Sequence, residues 1–141
     1  MHATLQCGTD DLTIWFTSPT QKTRREHVED FPSCGLLFDH QDVLLGISIS
    51  GRLQDVCPYE LAKIALSNVG NSVEAEFQSS YDSSCDMGSI YFDQRGPASV
   101  ERSIDCGSVI IDIGKDGAVI GLELFSPSKI LPALVATHAG T

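Results

Sequence analysis

Apolar and polar residues alternate most regularly near the end of the chain. Val109, Ile111 and Ile113 alternate with Ser108, Ile110 and Asp112. Beyond Gly114-Lys115-Asp116-Gly117, residues Ala118, Ile120, Leu122 and Leu124 share one face, opposite Val119, Gly121 and Glu123. A period of two on both sides of an Asp-Gly turn predicts a β-hairpin, because glycine accepts the positive φ that a tight turn needs. An earlier hairpin has the same form with a shorter turn, Asp39-His40-Gln41-Asp42, and inner positions Leu36, Phe38, Val43, Leu45, Ile47 and Ile49. Gly46 and Gly121 fall mid-strand at matching places, where a glycine costs stability unless it makes a bulge or lets a neighbour approach closely. The best helical pattern lies near 58–69. Pro58 suits a first helical position, Glu60 the first turn, and Gly70 follows the last periodic residue, while Leu61, Ile64, Ala65 and Asn68 fall on one face. After the second hairpin, Ser126 and Pro127 open a short helical stretch that Pro132 interrupts, and 133–138 reads as another.

These elements occur twice. Val28 to Asp39 is matched by Val100 to Asp112, which aligns Cys34-Gly35 with Cys106-Gly107; Leu45-Gly46-Ile47-Ser48-Ile49 is matched by Ile120-Gly121-Leu122-Glu123-Leu124. Upstream, Ile14-Trp15-Phe16 answers to Ile90-Tyr91-Phe92, and Ala3-Thr4-Leu5-Gln6 to Ala75-Glu76-Phe77-Gln78; Pro58 and Pro132 fall at equivalent places. Matches that keep their order along the chain predict two copies, 1–71 and 72–141, the first divergent. A unit of about 70 residues has a marginal core by itself, so the copies are expected to bury their apolar faces on each other. The fold expected is α+β and mostly antiparallel: two β-meander-plus-short-helix repeats packed with pseudo-twofold symmetry around one core.

Composition narrows the function. The chain has 141 residues, 42% of them hydrophobic, with 9 basic and 19 acidic side chains and a formal net charge of −10. That apolar fraction predicts a folded chain. The acidity is spread over both halves, so the surplus of Lys and Arg that binding to a phosphate backbone requires is missing, and no nucleic-acid partner is expected. No apolar run is long enough to predict a membrane-crossing helix, and Met1 to Gln6 carries neither a basic nor an apolar leader segment. Five cysteines at 7, 34, 57, 85 and 106, with no C-x-x-C pair, read as reduced thiols in a cytoplasmic protein.

The second copy carries a further pattern: Tyr81-Asp82-Ser83-Ser84-Cys85-Asp86, Ile90-Tyr91-Phe92, Gly107 to Asp112, Lys115-Asp116-Gly117, Val119 to Leu124, then Ser128-Lys129. In these motifs it resembles the small bacterial family known as domain of unknown function 2283. The resemblance covers about half the chain and extends weakly to the first copy, which lacks the Tyr-Asp pair, has no glycine in its turn and carries Ser48 where the second has Glu123. It brings no activity with it, and implies only the fold.

Candidate chemistry is sparse. The histidines, at 2, 27, 40 and 138, form no H-E-x-x-H or H-x-H spacing, so neither a metal nor a cofactor is expected. His40, between Asp39 and Asp42, reads first as a turn residue, with a carboxylate-assisted proton-transfer role as the sharper alternative. Asp112 and Asp116 with Gly117 lack the later ligands of a calcium loop. Asp82, Asp86 and Asp93 form a loose acidic group, read as solvated loop carboxylates. Cys34 and Cys106 read as buried packing residues, since no base or helix start adjoins them. Lys22-Thr23-Arg24-Arg25, the one basic cluster, reads as an exposed hairpin loop.

The function expected from all this is a non-enzymatic protein-interaction module of bacterial type, either a monomer with pseudo-dimeric repeats or a homodimer. One alternative is an acidic inhibitor or immunity-type protein that binds a basic enzyme. Another is a ligand-binding or enzymatic protein with a site between the repeats, lined by His40, Asp112 and Glu123. Those three are the candidate binding residues; no catalytic residue is assigned.

Overall fold

The computed structural model describes residues 1–18 and 22–139. The chain is α+β with mostly antiparallel strands, in two sheets. In the first half, β1 (His2–Cys7), β2 (Asp11–Trp15), β3 (Arg24–His27), β4 (Cys34–Phe38) and β5 (Leu44–Ser50) lead to the short helix α1 (Leu53–Val56) and to α2 (Tyr59–Ser67). The linking strands β6 (Ser72–Glu76) and β7 (Gln78–Asp82) follow. Then come β8 (Met87–Tyr91), β9 (Val100–Asp105), β10 (Val109–Gly114), β11 (Val119–Phe125) and the short helices α3 (Pro127–Ile130) and α4 (Pro132–Thr137).

One sheet has the order β3-β4-β5-β2-β1-β6, the other β7-β8-β11-β10-β9. Without β6, both sheets follow the same path: the first two strands form a hairpin, and the fifth strand inserts beside the second. The registers agree in detail. Ile14 stands opposite Ile47 and Ile90 opposite Leu122; Trp15 stands opposite Gly46 and Tyr91 opposite Gly121. Both central hairpins slip at the same place, from Leu37–Gly46 to Phe38–Leu44 and from Asp112–Gly121 to Ile113–Val119. The residues left over are Leu45 and Ile120, and their carbonyls accept from the N–H groups of Phe16 and Phe92, each at 2.8 Å.

That bulge corrects the simple alternation. Past each turn the inner face is taken up by Leu44 and Val119, where strict period two places Leu45 and Ile120; the latter two are buried but stand outside the main core. The two turns are equally long, closed by Asp39 N–H to the Val43 carbonyl and Gly114 N–H to the Ala118 carbonyl, both 2.9 Å. Asp42 (φ 63°) takes the left-handed place that Gly117 (φ 83°) holds in the second. An aspartate tolerates this conformation, which is why the first turn works without glycine.

The registers also correct the alignment of the cysteines. Cys34 stands opposite Ile49, and the residue opposite Leu124 is Val109, so Val109 is the counterpart of Cys34, while Cys106 precedes β10. Arg24 and Arg25, expected in a loop, lie in β3, paired with Phe38 and Leu37.

The core is continuous across both sheets. Leu5, Leu12, Ile14, Leu36, Ile47 and Ile49 from the first belong to one buried cluster with Ile90, Ile104, Val109, Ile111, Leu122 and Leu124 from the second. Helix α2 adds Leu61, Ala62 and Ala65, and α4 adds Leu134. The expected helix at 58–69 is thus present, with Pro58 just outside it as the N-cap. Strand β6 pairs with β1, but one residue beyond it the chain leaves the first sheet and enters the second as β7. The crossing residue, Phe77, packs edge-to-face on Phe92 with ring centroids 5.1 Å apart. Among the described residues, no helix is long and apolar enough to cross a membrane.

The mid-strand glycines admit close neighbours. A Cβ on Gly46 would lie 2.2 Å from the Ile14 carbonyl oxygen; one on Gly121 would lie 2.5 Å from Tyr91 Cδ1 and 2.7 Å from the Ile90 oxygen. Gly46→Ala and Gly121→Ala are therefore each expected to cost about 1–3 kcal/mol, since backbone must move to relieve the overlap. Urea unfolding checks this; an unchanged midpoint for either variant would contradict the packing described.

Candidate functional site

The side of the second sheet that faces away from the core carries a small polar constellation. Alternation fixes its members: Ser103 on β9, Ile110 and Asp112 on β10, Gly121 and Glu123 on β11, Ser89 and Tyr91 on β8. Asp112 stands opposite Ser103 on one side and Gly121 on the other, and Gly121 stands opposite Tyr91. Because Gly121 has no side chain, the Tyr91 ring lies across it, reaching toward Asp112.

Asp112 is 0% exposed, the one buried charged residue among those described. Ser103 Oγ donates to its Oδ1 at 2.8 Å, and its Oδ2 has no hydrogen-bond partner. A buried carboxylate oxygen left without a donor costs on the order of 1–3 kcal/mol. Glu123, one step along the neighbouring strand, is half-buried. Burial raises its pKa to about 6, and Asp112 adds to the rise. Burial likewise pushes the Tyr91 phenol up to about 12, with the charges of Asp112 and Glu123 contributing. Burial first, and the neighbouring Asp112 second, favour the protonated form of Glu123.

The first sheet shows what the same place looks like when it is filled. Leu37 stands where Asp112 stands, Ser48 where Glu123 does, Trp15 where Tyr91 does, and Arg25 in the position of Ser103. Arg25 Nε donates to Ser48 Oγ at 3.1 Å. Its guanidinium lies flat on Gly35, so close that a Cβ there would sit 2.5 Å from Nε.

Of the three candidate binding residues, the structure brings Asp112 and Glu123 together and leaves His40 apart. His40 is exposed in the β4–β5 turn of the other sheet. The three-residue site between the repeats is therefore not formed, because a hairpin end and a mid-strand face of different sheets do not converge. Ser103 and Tyr91 escaped the sequence reading. Tyr91 was legible in principle, since its match to Trp15 sets it beside a strand glycine; nothing local marks Ser103.

The other acidic groups are already engaged. Asp93 and Asp116 both bind Arg95, at 2.5 and 3.1 Å, which ties the loop after β8 to the β10–β11 turn. Asp82 accepts from Ser84 N–H at 2.9 Å. Asp86, in the left-handed conformation at φ 50°, takes the Tyr81 hydroxyl at 3.0 Å, the Ser128 N–H at 3.2 Å and the Ser128 hydroxyl, fastening the β7–β8 turn to the start of α3. The loose group of Asp82, Asp86 and Asp93 is thus three separate structural bonds. Among the described residues no three His, Cys, Asp or Glu side chains gather as a metal site. All five cysteines are free. Burial pushes the Cys34 and Cys57 thiols up to about 12, so both stay protonated at neutral pH. A cleft of about 780 Å³ beside Ile64, Phe77, Phe92 and Arg95 shares only Tyr91 with the carboxyl pair.

No family model, curated protein or solved structure matches the chain.

The raised pKa of Glu123 fixes a pH dependence. Its folded value, about 6, lies above the ordinary 4.5, so its contribution to stability is complete below pH 4.5 and is lost as pH rises through 6. Glu123→Gln removes that loss. The variant is expected to gain about 1 kcal/mol on wild type between pH 4.5 and 7, a figure already reduced for the partial solvation of the side chain. Urea titrations across this range measure it, and pH profiles that run parallel for the two proteins would contradict the coupling.

Proposed function

We propose that the protein is a non-enzymatic interaction module made of two copies of one unit related by pseudo-twofold symmetry, and that a basic protein partner docks on the outer face of its second sheet. The duplication is supported by the shared strand order, the bulges at Leu45 and Ile120, and the left-handed turn residues Asp42 and Gly117. The same proposal takes the second copy as akin to domain of unknown function 2283; Tyr81 and Ser128, two of the residues that carry the likeness, converge on Asp86. The free, largely buried thiols are in keeping with a reducing cytoplasm.

The observation that carries the docking face is the Asp112–Glu123 pair, which holds a fully buried carboxylate with one oxygen unsatisfied. Asp105, Ser89 and Ser103 extend the same face with further acceptors and hydroxyls. Such a surface attracts and orients positive charge, and the net charge of −10 draws a basic partner toward it from a distance. An acidic inhibitor of a basic enzyme is a special case of this reading. A catalytic site using His40 is not, since His40 stands in the turn of the other sheet.

The test is capture from an extract of the native cells with the full chain immobilised. One stoichiometric basic protein is expected on wild type and lost on Glu123→Arg. No saturable partner, or a partner held equally by both, would overturn the reading.

A further inference from the structure

Resting on that reading of the second sheet, we propose that the Asp112–Glu123 pair is a receptor for one arginine side chain of a protein partner, with Ser103 and Tyr91 framing the guanidinium. Three observations lead there. Asp112 Oδ2 is buried and has no hydrogen-bond partner, so the pair can take one further donor. Glu123 is half-buried and Ser103 exposed, so that donor can arrive from solvent and meet Glu123 before Asp112. The equivalent place on the first sheet already holds a guanidinium: Arg25, bonded to Ser48 at the position of Glu123.

The chemistry of the two faces explains the difference in source. On the first sheet the strand beside β4 supplies its own arginine, and Gly35 gives it room to lie flat. On the second sheet the corresponding residue is Ser103, too short and uncharged, while Ser48 and Leu37 have become Glu123 and Asp112. Ile110 stands in place of Gly35, so the floor on which Arg25 rests in the first sheet is filled in the second. The cation must then come from another molecule. A guanidinium suits it better than an ammonium, since its planar fork offers parallel N–H donors to two carboxylates at once. The guanidinium pairs with the ionised form of Glu123, so affinity falls as the pH drops and Glu123 takes up its proton.

The experiment is an amide NMR titration of the full chain with N-acetyl-arginine amide, run beside ethylammonium chloride and calcium chloride at equal ionic strength. Saturable shifts are expected at Ser103, Asp112, Gly121 and Glu123, with a millimolar Kd that weakens roughly fivefold or more from pH 7.5 to pH 5 and a smaller response to ethylammonium. Glu123→Gln, whose spectrum elsewhere reports an intact fold, is expected to abolish them. Three outcomes overturn the proposal: no saturable shift at these residues, the same shifts in Glu123→Gln, or tighter binding of calcium than of the arginine derivative. If the probe fails but wild type still captures a partner that Glu123→Arg loses, the arginine assignment falls and the docking face stands. If the probe binds and no partner is captured, the reverse holds.

Discussion

A six-stranded and a five-stranded sheet of like strand order each present one apolar face, and neither has enough helix to cover it. This constraint governs the molecule. Among the described residues, the second half brings only the short helices α3 and α4 from its own sequence, and α2 contributes Leu61, Ala62 and Ala65 to the core. Each sheet therefore serves as the other's second layer, and the cluster from Leu5 to Leu134 is one core rather than two. The covalent joint enforces the arrangement, because β6 closes the edge of the first sheet before Phe77 turns the chain into the second.

With the inner faces committed to packing, the outer faces are free to diverge, and the carboxyl pair arises there. The strand scaffold beneath it is common to both halves, down to a glycine opposite an aromatic residue. What differs is the side chains: Leu37, Ser48 and Arg25 on one sheet, Asp112, Glu123 and Ser103 on the other. On the first sheet Arg25 lies over Gly35 and donates to Ser48. On the second, one oxygen of the buried Asp112 is left unsatisfied, and burial, with Asp112 beside it, lowers the acidity of Glu123.

Much of this was legible in the sequence because hairpins and the α2 helix leave local signals: alternation, turn residues, a proline before and a glycine after. Two of the matched blocks, Ile14-Trp15-Phe16 with Ile90-Tyr91-Phe92 and Leu45–Ile49 with Ile120–Leu124, agree with the strand registers. Ala3–Gln6 with Ala75–Gln78 is two residues out, since Thr4 and Gln78 are the residues opposite Trp15 and Tyr91. What local pattern could not convey were single-residue slips. The bulges at Leu45 and Ile120 shift the inner face by one position without any change in composition. The repeated Cys-Gly pair attracted an alignment three residues out, because the segment before β4 is longer than that before β10. Strand β6 was missed although Val73 and Ala75 alternate with Ser72, Glu74 and Glu76, because the inward face is only two small residues long and its partner β1 is distant in sequence. His40 was paired with Asp112 and Glu123 by residue type alone, whereas which sheet and which end a residue occupies is a tertiary fact.

The claim that the halves complete each other's core is tested most directly by preparing residues 1–77 and 78–141 as separate chains and following each by amide NMR and sedimentation, alone and mixed. Each fragment alone is expected to give poorly dispersed spectra or to self-associate, and the mixture to recover the dispersed spectrum of the intact chain as a one-to-one complex. A monomeric, fully dispersed 78–141 fragment that ignores 1–77 would contradict the account.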